Sequence, residues 1–226
     1  MTLAQAFDYQ PGLFSPANST PIIFVIDDDL SFRNSLSALI RFEGWQVESF
    51  GSAQEFLARP RPLVPSCLLL AISLPDLNSL EVQKQLSRER AEVPIVVISV
   101  HADIPLTVQA MKAGAVDFLL SPFSDAVLAD AIRESLERSR KILLREMEIR
   151  EIRDRYESLS RRERQVMKLV VSGLLNKQVG GELGISELTV KAHRGKVMQK
   201  MKAGSLADLV RMAAKLQAAP RAIYLA

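Results

Sequence analysis

From Ile22 to about residue 120, short apolar runs alternate with stretches in which apolar residues recur at helical spacing. The runs are IIFVI (22–26), WQVESF (45–50), CLLLAI (67–72), PIVVIS (94–99) and VDFLL (116–120). The amphipathic stretches between them cover residues 30–42, 53–58, 80–90 and 104–113. Unbroken apolar runs of this length predict strands buried on both faces, and the helical stretches between them predict parallel connections. The expectation is an α/β doubly wound, five-stranded parallel sheet with helices on both sides. Gly114 is placed to end a helix just before the fifth strand, and Trp45 to pack at the start of the second.

The pattern changes after residue 125. To residue 157 no Gly or Pro interrupts the chain, and charges of both signs alternate. A helix of that length spans about 45 Å, more than one small domain needs. Ile142, Ile149 and Tyr156 fall seven apart, with Ile152 and Leu159 as a companion set that Arg145 interrupts. A long helical linker, forming a parallel two-stranded coiled coil over its second half, is expected. The alternative is a solitary solvated helix held by ion pairs four residues apart.

The rear is helical again, in shorter pieces. Ser160 and Glu163 form a capping box for a helix running to about Val171, which Gly173 ends. A short helix follows, with Asn176 as its expected cap and Val179 and Leu183 as its apolar face. Gly184 supplies a positive-φ stop and Ser186 caps a longer helix. Val190, Val197, Met198 and Met201 face inward in that helix, while Lys191, His193, Arg194, Lys196, Lys200 and Lys202 fall mostly elsewhere. Its only acid is Glu187. Gly204 and Ser205 stop and restart the chain for a last helix over 206–217. This is the layout of an all-α, four-helix domain with a helix-turn-helix, whose second helix enters the DNA major groove.

Charge sharpens the division. Residues 1–125 hold 14 acids and 8 bases, residues 126–157 hold 8 of each, and residues 158–226 hold 4 acids and 13 bases. An acidic front and a basic rear suit different partners, the rear one phosphates. The expected division is a loose leader over 1–21, a front domain over 22–125, the linker over 126–157, the DNA-binding domain over 158–218 and a tail over 219–226. Cys67 is alone, so the chain can form no internal disulfide and holds no cysteine–histidine metal set. No basic leader precedes an apolar core, and no apolar run reaches the roughly 20 residues of a membrane span. A cytoplasmic protein without a membrane partner is expected.

The rear motif resembles the LuxR-type helix-turn-helix domain that ends FixJ/NarL-type response regulators. The residues that carry it are LSRRERQV (159–166), Gly173, NK (176–177), LGIS (183–186), TVKAH (189–193) and the run to Lys202. The front, through VIDDD (25–29), SLPDLNSLEVQ (73–83), PIVVIS (94–99), HADIPLTVQAMKAGAVDFLL (101–120) and PF (122–123), resembles their receiver domain. That resemblance implies a phosphorylation switch: an acidic pair and an acceptor aspartate hold Mg²⁺, and a hydroxyl and a lysine respond to the phosphoryl group. It also implies pairing of receivers through the fourth and fifth helices with the fifth strand, and of the rear domain through its last helix.

The resemblance fails at the reactive atoms. Asp27 and Asp28 stand for the acidic pair and Ser99 for the hydroxyl, but Ala71 occupies the acceptor position and Ser121 the lysine position. Ser79 and Val100 stand where such chains usually carry glycine. Alanine offers no nucleophile and no oxygen for a hard cation. Ser73 and Asp76 are poor substitutes, the one an unactivated alcohol and the other beyond the expected strand end. A pseudo-receiver without a phosphorylation switch is expected, with no catalytic residue, metal or cofactor. Asp27, Asp28 and Asp29 either cap the helix at Leu30 or form a pH- or cation-sensing pocket.

The expected function is a dimeric, sequence-specific transcription factor on a roughly palindromic double-stranded promoter site. Lys191, His193 and Arg194 are the candidate base readers, His193 equally a packing or backbone contact; Asn176, Lys177, Thr189 and Lys196 are the candidate phosphate contacts. The alternative is a protein-interaction module, in which the front domain binds a regulatory protein or small ligand and gates DNA binding. Neither a nucleophile–base set nor a phosphate-cradling glycine loop points to an enzyme.

Overall fold

The computed structural model describes residues 19–72, 77–100 and 104–218, with the side chains of 77–80 left aside. The leader up to residue 18, Ser73, Asp76, His101 and the tail 219–226 lie outside the described residues. One compact unit ends at Leu144 and a second begins at Arg145.

The front unit runs β1 (Ile22–Ile26), α1 (Leu30–Phe42), β2 (Gln46–Phe50), α2 (Ala53–Ala58), β3 (Ser66–Ile72), α3 (Leu77–Glu89), β4 (Ile95–Ser99), α4 (Ile104–Lys112) and β5 (Ala115–Leu120). All pairings are parallel and the strand order is β2-β1-β3-β4-β5. Alternate residues of β1, β3 and β4 go to opposite faces, as the pleat requires. Phe24, Ile26, Leu68, Leu70, Ile95 and Val97 pack on one face with Phe56, Leu86 and Leu106 of α2, α3 and α4. Ile23, Val25, Cys67, Leu69, Val96 and Ile98 pack on the other with Leu36 and Ile40 of α1. Trp45 joins that second face just before β2 begins. Burial pushes the Cys67 thiol far above its ordinary value, consistent with a plain packing role. Strand order reverses between β1 and β3, so the carboxyl ends of those strands bound the crevice such sheets offer to ligands.

The expected linker needs correction. The helix α5 (Asp125–Glu157) is unbroken, but its first half belongs to the front core rather than to solvent. Leu128, Ala131, Ile132 and Leu136 pack on the second sheet face. The buried Ser139 hydroxyl accepts from the Ser66 amide at 3.1 Å and donates to the Glu92 carbonyl at 2.8 Å, pinning the helix to the sheet.

The seam proposed for its second half is corrected as well. Ile152 and Leu159 are 4% and 3% exposed, and with Tyr156 they pack on Met167, Val197, Met201 and Leu209 of their own chain. Residues spent on an internal core cannot also serve as knobs for a second helix. Of the five seam positions Ile142, Ile149 and Tyr156 stay half-exposed, Tyr156 lying against that core.

That core is shared by α6 (Arg161–Val171), α8 (Glu187–Met201) and α9 (Leu206–Ala218), while Val166, Val170, Val179 and Val190 form a second cluster around α7 (Asn176–Leu183). Among the described residues no helix is long and apolar enough to cross a membrane.

Candidate nucleic-acid interface and the cleft of the front domain

The turn between α7 and α8 is fixed by two glycines and a serine. Gly184 sits at φ 65°, where a side chain would be strained, and ends α7. A Cβ on Gly180 would lie 2.8 Å from the Ile185 carbonyl, so only glycine lets the turn fold back on α7. The Ser186 hydroxyl accepts from the Thr189 amide at 3.1 Å and starts α8. From below, Glu163 holds α8 in place. Its buried carboxylate closes the capping box with the Ser160 amide at 2.8 Å and takes the Lys200 ammonium at 2.7 Å. Those two donors hold the Glu163 carboxyl below its ordinary value.

Two expectations about helix ends do not hold. Leu175, not Asn176, is the N-cap of α7, and its amide is satisfied by the Gln178 side chain at 2.8 Å. Asn176 is the first helical residue, and its side-chain oxygen accepts instead from the Arg194 guanidinium at 3.2 Å. At the far end of α8, Lys202 at φ 52° makes the left-handed turn that ends the helix, two residues before the Gly204 expected to stop it.

The seven candidate DNA contacts gather on α7 and α8. Lys177, Thr189, Lys191 and Lys196 are exposed; Asn176, His193 and Arg194 are half-buried. Lys191 also pairs with Glu187 at 3.4 Å, one turn earlier. Val190, Val197 and Met201 are buried as expected. Directly opposite them stand uncharged residues: Leu188, 78% exposed, with Ala192 and Gly195. Angular position around α8, not charge, is the signal that finds them.

The front cleft lies at the carboxyl ends of β1, β3, β4 and β5. Asp27 is 4% exposed at the end of β1, and its carboxylate accepts from the Asp29 amide at 2.7 Å. Burial, and then the neighbouring Asp28 and Asp29 charges, push the Asp27 carboxyl above its ordinary value. Asp28 is exposed. Asp29 is the N-cap of α1, accepting from the Ser31 and Phe32 amides at 2.7 and 3.3 Å, as the capping reading expects. The nearby Arg33 guanidinium donates to the Asp27 carbonyl rather than to a carboxylate. Ala71 pairs with Ile98 and Ile72 with buried Ser99, so Ala71 sits at the carboxyl end of β3. Ser121 donates its amide to the Ser99 carbonyl at 2.8 Å, just past β5. The five positions therefore share one end of the sheet.

Mg²⁺, which the receiver resemblance implies, does not fit these residues. A hard cation takes six or more oxygens, most of them from carboxylates, carbonyls or water. Asp27 and Asp28 supply carboxylates, but at the end of β3 the chain offers a methyl group. Among the described residues no set of three or more His, Cys, Asp or Glu side chains is disposed to hold a metal.

Residues 23–133 match the family of response regulator receiver domains, and residues 157–213 match the luxR family of bacterial regulatory proteins. Nodulation protein W of Bradyrhizobium diazoefficiens is 48% identical over 211 residues, 93% of each chain. The response regulator protein TodT of Pseudomonas putida is 43% identical over 208 residues, 92% of each. Among solved structures, the response regulator StyR superposes with a TM-score of 0.72 at 43% identity, covering 87% of this chain and 100% of its own.

Proposed function

The chain belongs to the response regulators that join a receiver domain to a LuxR-type DNA-binding domain, and on that premise we propose that it binds its promoter site as a dimer, without control by phosphoryl transfer. Its family consists of transcriptional regulators, not enzymes. The proposal concerns how this member is switched and assembled.

One observation carries it: Ala71 lies at the end of β3 and Ser121 just past β5, where the receiver resemblance implies an acceptor aspartate and a lysine. An acyl phosphate needs a carboxylate to form on, and an alkyl side chain has none. The loss of the cation at 121 is a second defect, independent of the first. Control must then come from protein concentration, from a partner or from a ligand.

Pairing does not depend on the α5 seam. The helix α4 exposes Ile104, Val108 and Met111 at positions i, i+4 and i+7, and Leu120 and Val127 expose further apolar area nearby in sequence. This supports a homodimer through the front domain, which would present two α8 helices to a roughly palindromic site. The same face favours the second reading, in which a regulatory partner covers it. Sedimentation of the protein alone separates the two: a concentration-independent dimer supports the first, a monomer the second.

For the domain division, 22–125 and 158–218 remain the proposed receiver and DNA-binding segments, with α5 continuous between them. The experiment is a gel-shift titration of full-length protein across salt, with and without an acyl-phosphate donor and Mg²⁺. Specific binding that weakens steeply with salt and ignores the donor is expected. Tightening by the donor contradicts the proposal.

A further inference from the structure

The outward ridge of α8 carries a different chemistry from its flanks. Buried Val190, Val197 and Met201 fix the inward direction. At about 100° per residue, Leu188, Ala192, Gly195 and Gln199 fall within about 60° of one another on the opposite side. All four are exposed. Exposed Lys191 and Lys202 stand to one side of them, and exposed Thr189, Lys196 and Lys200 to the other. The edge that leads into a groove is therefore apolar for most of its length, with cations along both margins.

Two members of this ridge do nothing for the fold. Leu188 is 78% exposed on the second residue of the helix. Gly195 lies in mid-helix, where glycine is weaker than alanine, yet a Cβ there would meet no atom within 4 Å. Nothing inside the protein requires either residue. Meanwhile two of the expected base readers have partners: Arg194 bonds to Asn176 at 3.2 Å and Lys191 lies 3.4 Å from Glu187.

Resting on the DNA-binding reading of α8, we propose that this ridge is a methyl-reading edge and that Leu188 is a specificity-determining residue. Leu188, with Ala192 behind it, packs on the C5-methyl groups of thymines in the major groove. Thymine is the one base that presents a methyl group there, so an apolar contact separates it from cytosine. Gly195 lets the helix backbone come close to the base edges, and the lysines on the margins neutralise phosphates on either side.

The test begins by selecting duplexes from a random pool with the full-length protein. The selected duplex is then remade with uracil at each thymine in turn, which removes one methyl group and leaves the hydrogen-bonding edge unchanged. Uracil at one or two positions per half-site is expected to weaken binding about fourfold, the loss for one buried methyl group. Leu188→Ala should bind the thymine and uracil versions equally. Gly195→Ala should keep or raise Tm and yet bind the selected duplex severalfold more weakly. The proposal is overturned if uracil has no effect at any position, if its effect persists in Leu188→Ala, or if Gly195→Ala binds as tightly as the parent. Failure to select any duplex would instead overturn the DNA reading beneath it, and this proposal with it.

Discussion

The front cleft and the rear helix-turn-helix differ in what their scaffolds carry, an alanine and a serine at the one and a row of exposed basic residues at the other. In the front unit the five parallel strands, the switch point and a capped α1 are all present, and Ala71 and Ser121 stand where the receiver resemblance implies an acceptor and a cation. In the rear unit the turn glycines, the Ser160–Glu163 box and the exposed basic residues of α7 and α8 occur together. The difference teaches that a scaffold is specified by its apolar pattern, which accommodates a methyl group as readily as a carboxylate at a strand end. Function is specified by a few side chains that the pattern does not constrain.

The largest effect should come from breaking the rear scaffold. Gly180→Ala forces a Cβ against the Ile185 carbonyl, 2.8 Å away, where a backbone atom has little room to yield. A loss of about 1–3 kcal/mol is expected in the rear unit, with DNA binding falling in step. Peptide-resolved hydrogen exchange should show the front sheet unaffected. Equal loosening of both units would mean that they are not separately stabilised.

Acid should act on the two units with opposite sign. Glu163 has a lowered carboxyl, so its contribution is intact above the ordinary value of 4.5 and drains away as pH falls through the lowered one. Glu163→Gln should cost the rear unit about 1 kcal/mol at neutral pH and flatten that dependence. Asp27 has a raised carboxyl, so it penalises the front unit above the raised value, and the penalty disappears as pH falls toward 3.8. Asp27→Asn should therefore raise the front unit's Tm by a few degrees at neutral pH. The fluorescence of Trp45, the chain's one tryptophan, follows the front unit. A destabilised Asp27→Asn would show that the cleft still uses that charge.

The smallest effect sharpens the distinction between positioning and reading. Lys177 is exposed at the start of α7, and Lys177→Ala should weaken binding to all duplexes alike. The slope of log affinity against log salt should fall by about 0.9, the value for one phosphate contact. A selective loss on the preferred duplex would make Lys177 a base reader.

Much of this was legible in the residues. Strands that are buried on both faces announce themselves as apolar runs, and β1 spans the expected 22–26. Gly184 and Ser186 bracket the turn because their chemistry suits nothing else there. What was misread shares one cause: periodicity tells which residues share a face, not what covers it. Ile152, Tyr156 and Leu159 lie on one stripe, but their cover is the chain's own α6, α8 and α9 rather than a second α5. Asn176 has the chemistry of a cap, and a guanidinium eighteen residues away takes its oxygen instead. Leu188 carries no charge, so the charge pattern of α8 does not mark it; its angular position does.

Intact-mass measurement after incubation with an acyl-phosphate donor and Mg²⁺ tests the missing switch most directly, with Ala71→Asp run beside the parent protein. An unchanged mass is expected for the parent and a phosphoryl adduct on Ala71→Asp, which supplies an acceptor carboxylate. A stoichiometric adduct on the parent protein, mapped to any residue of the front domain, would contradict that expectation.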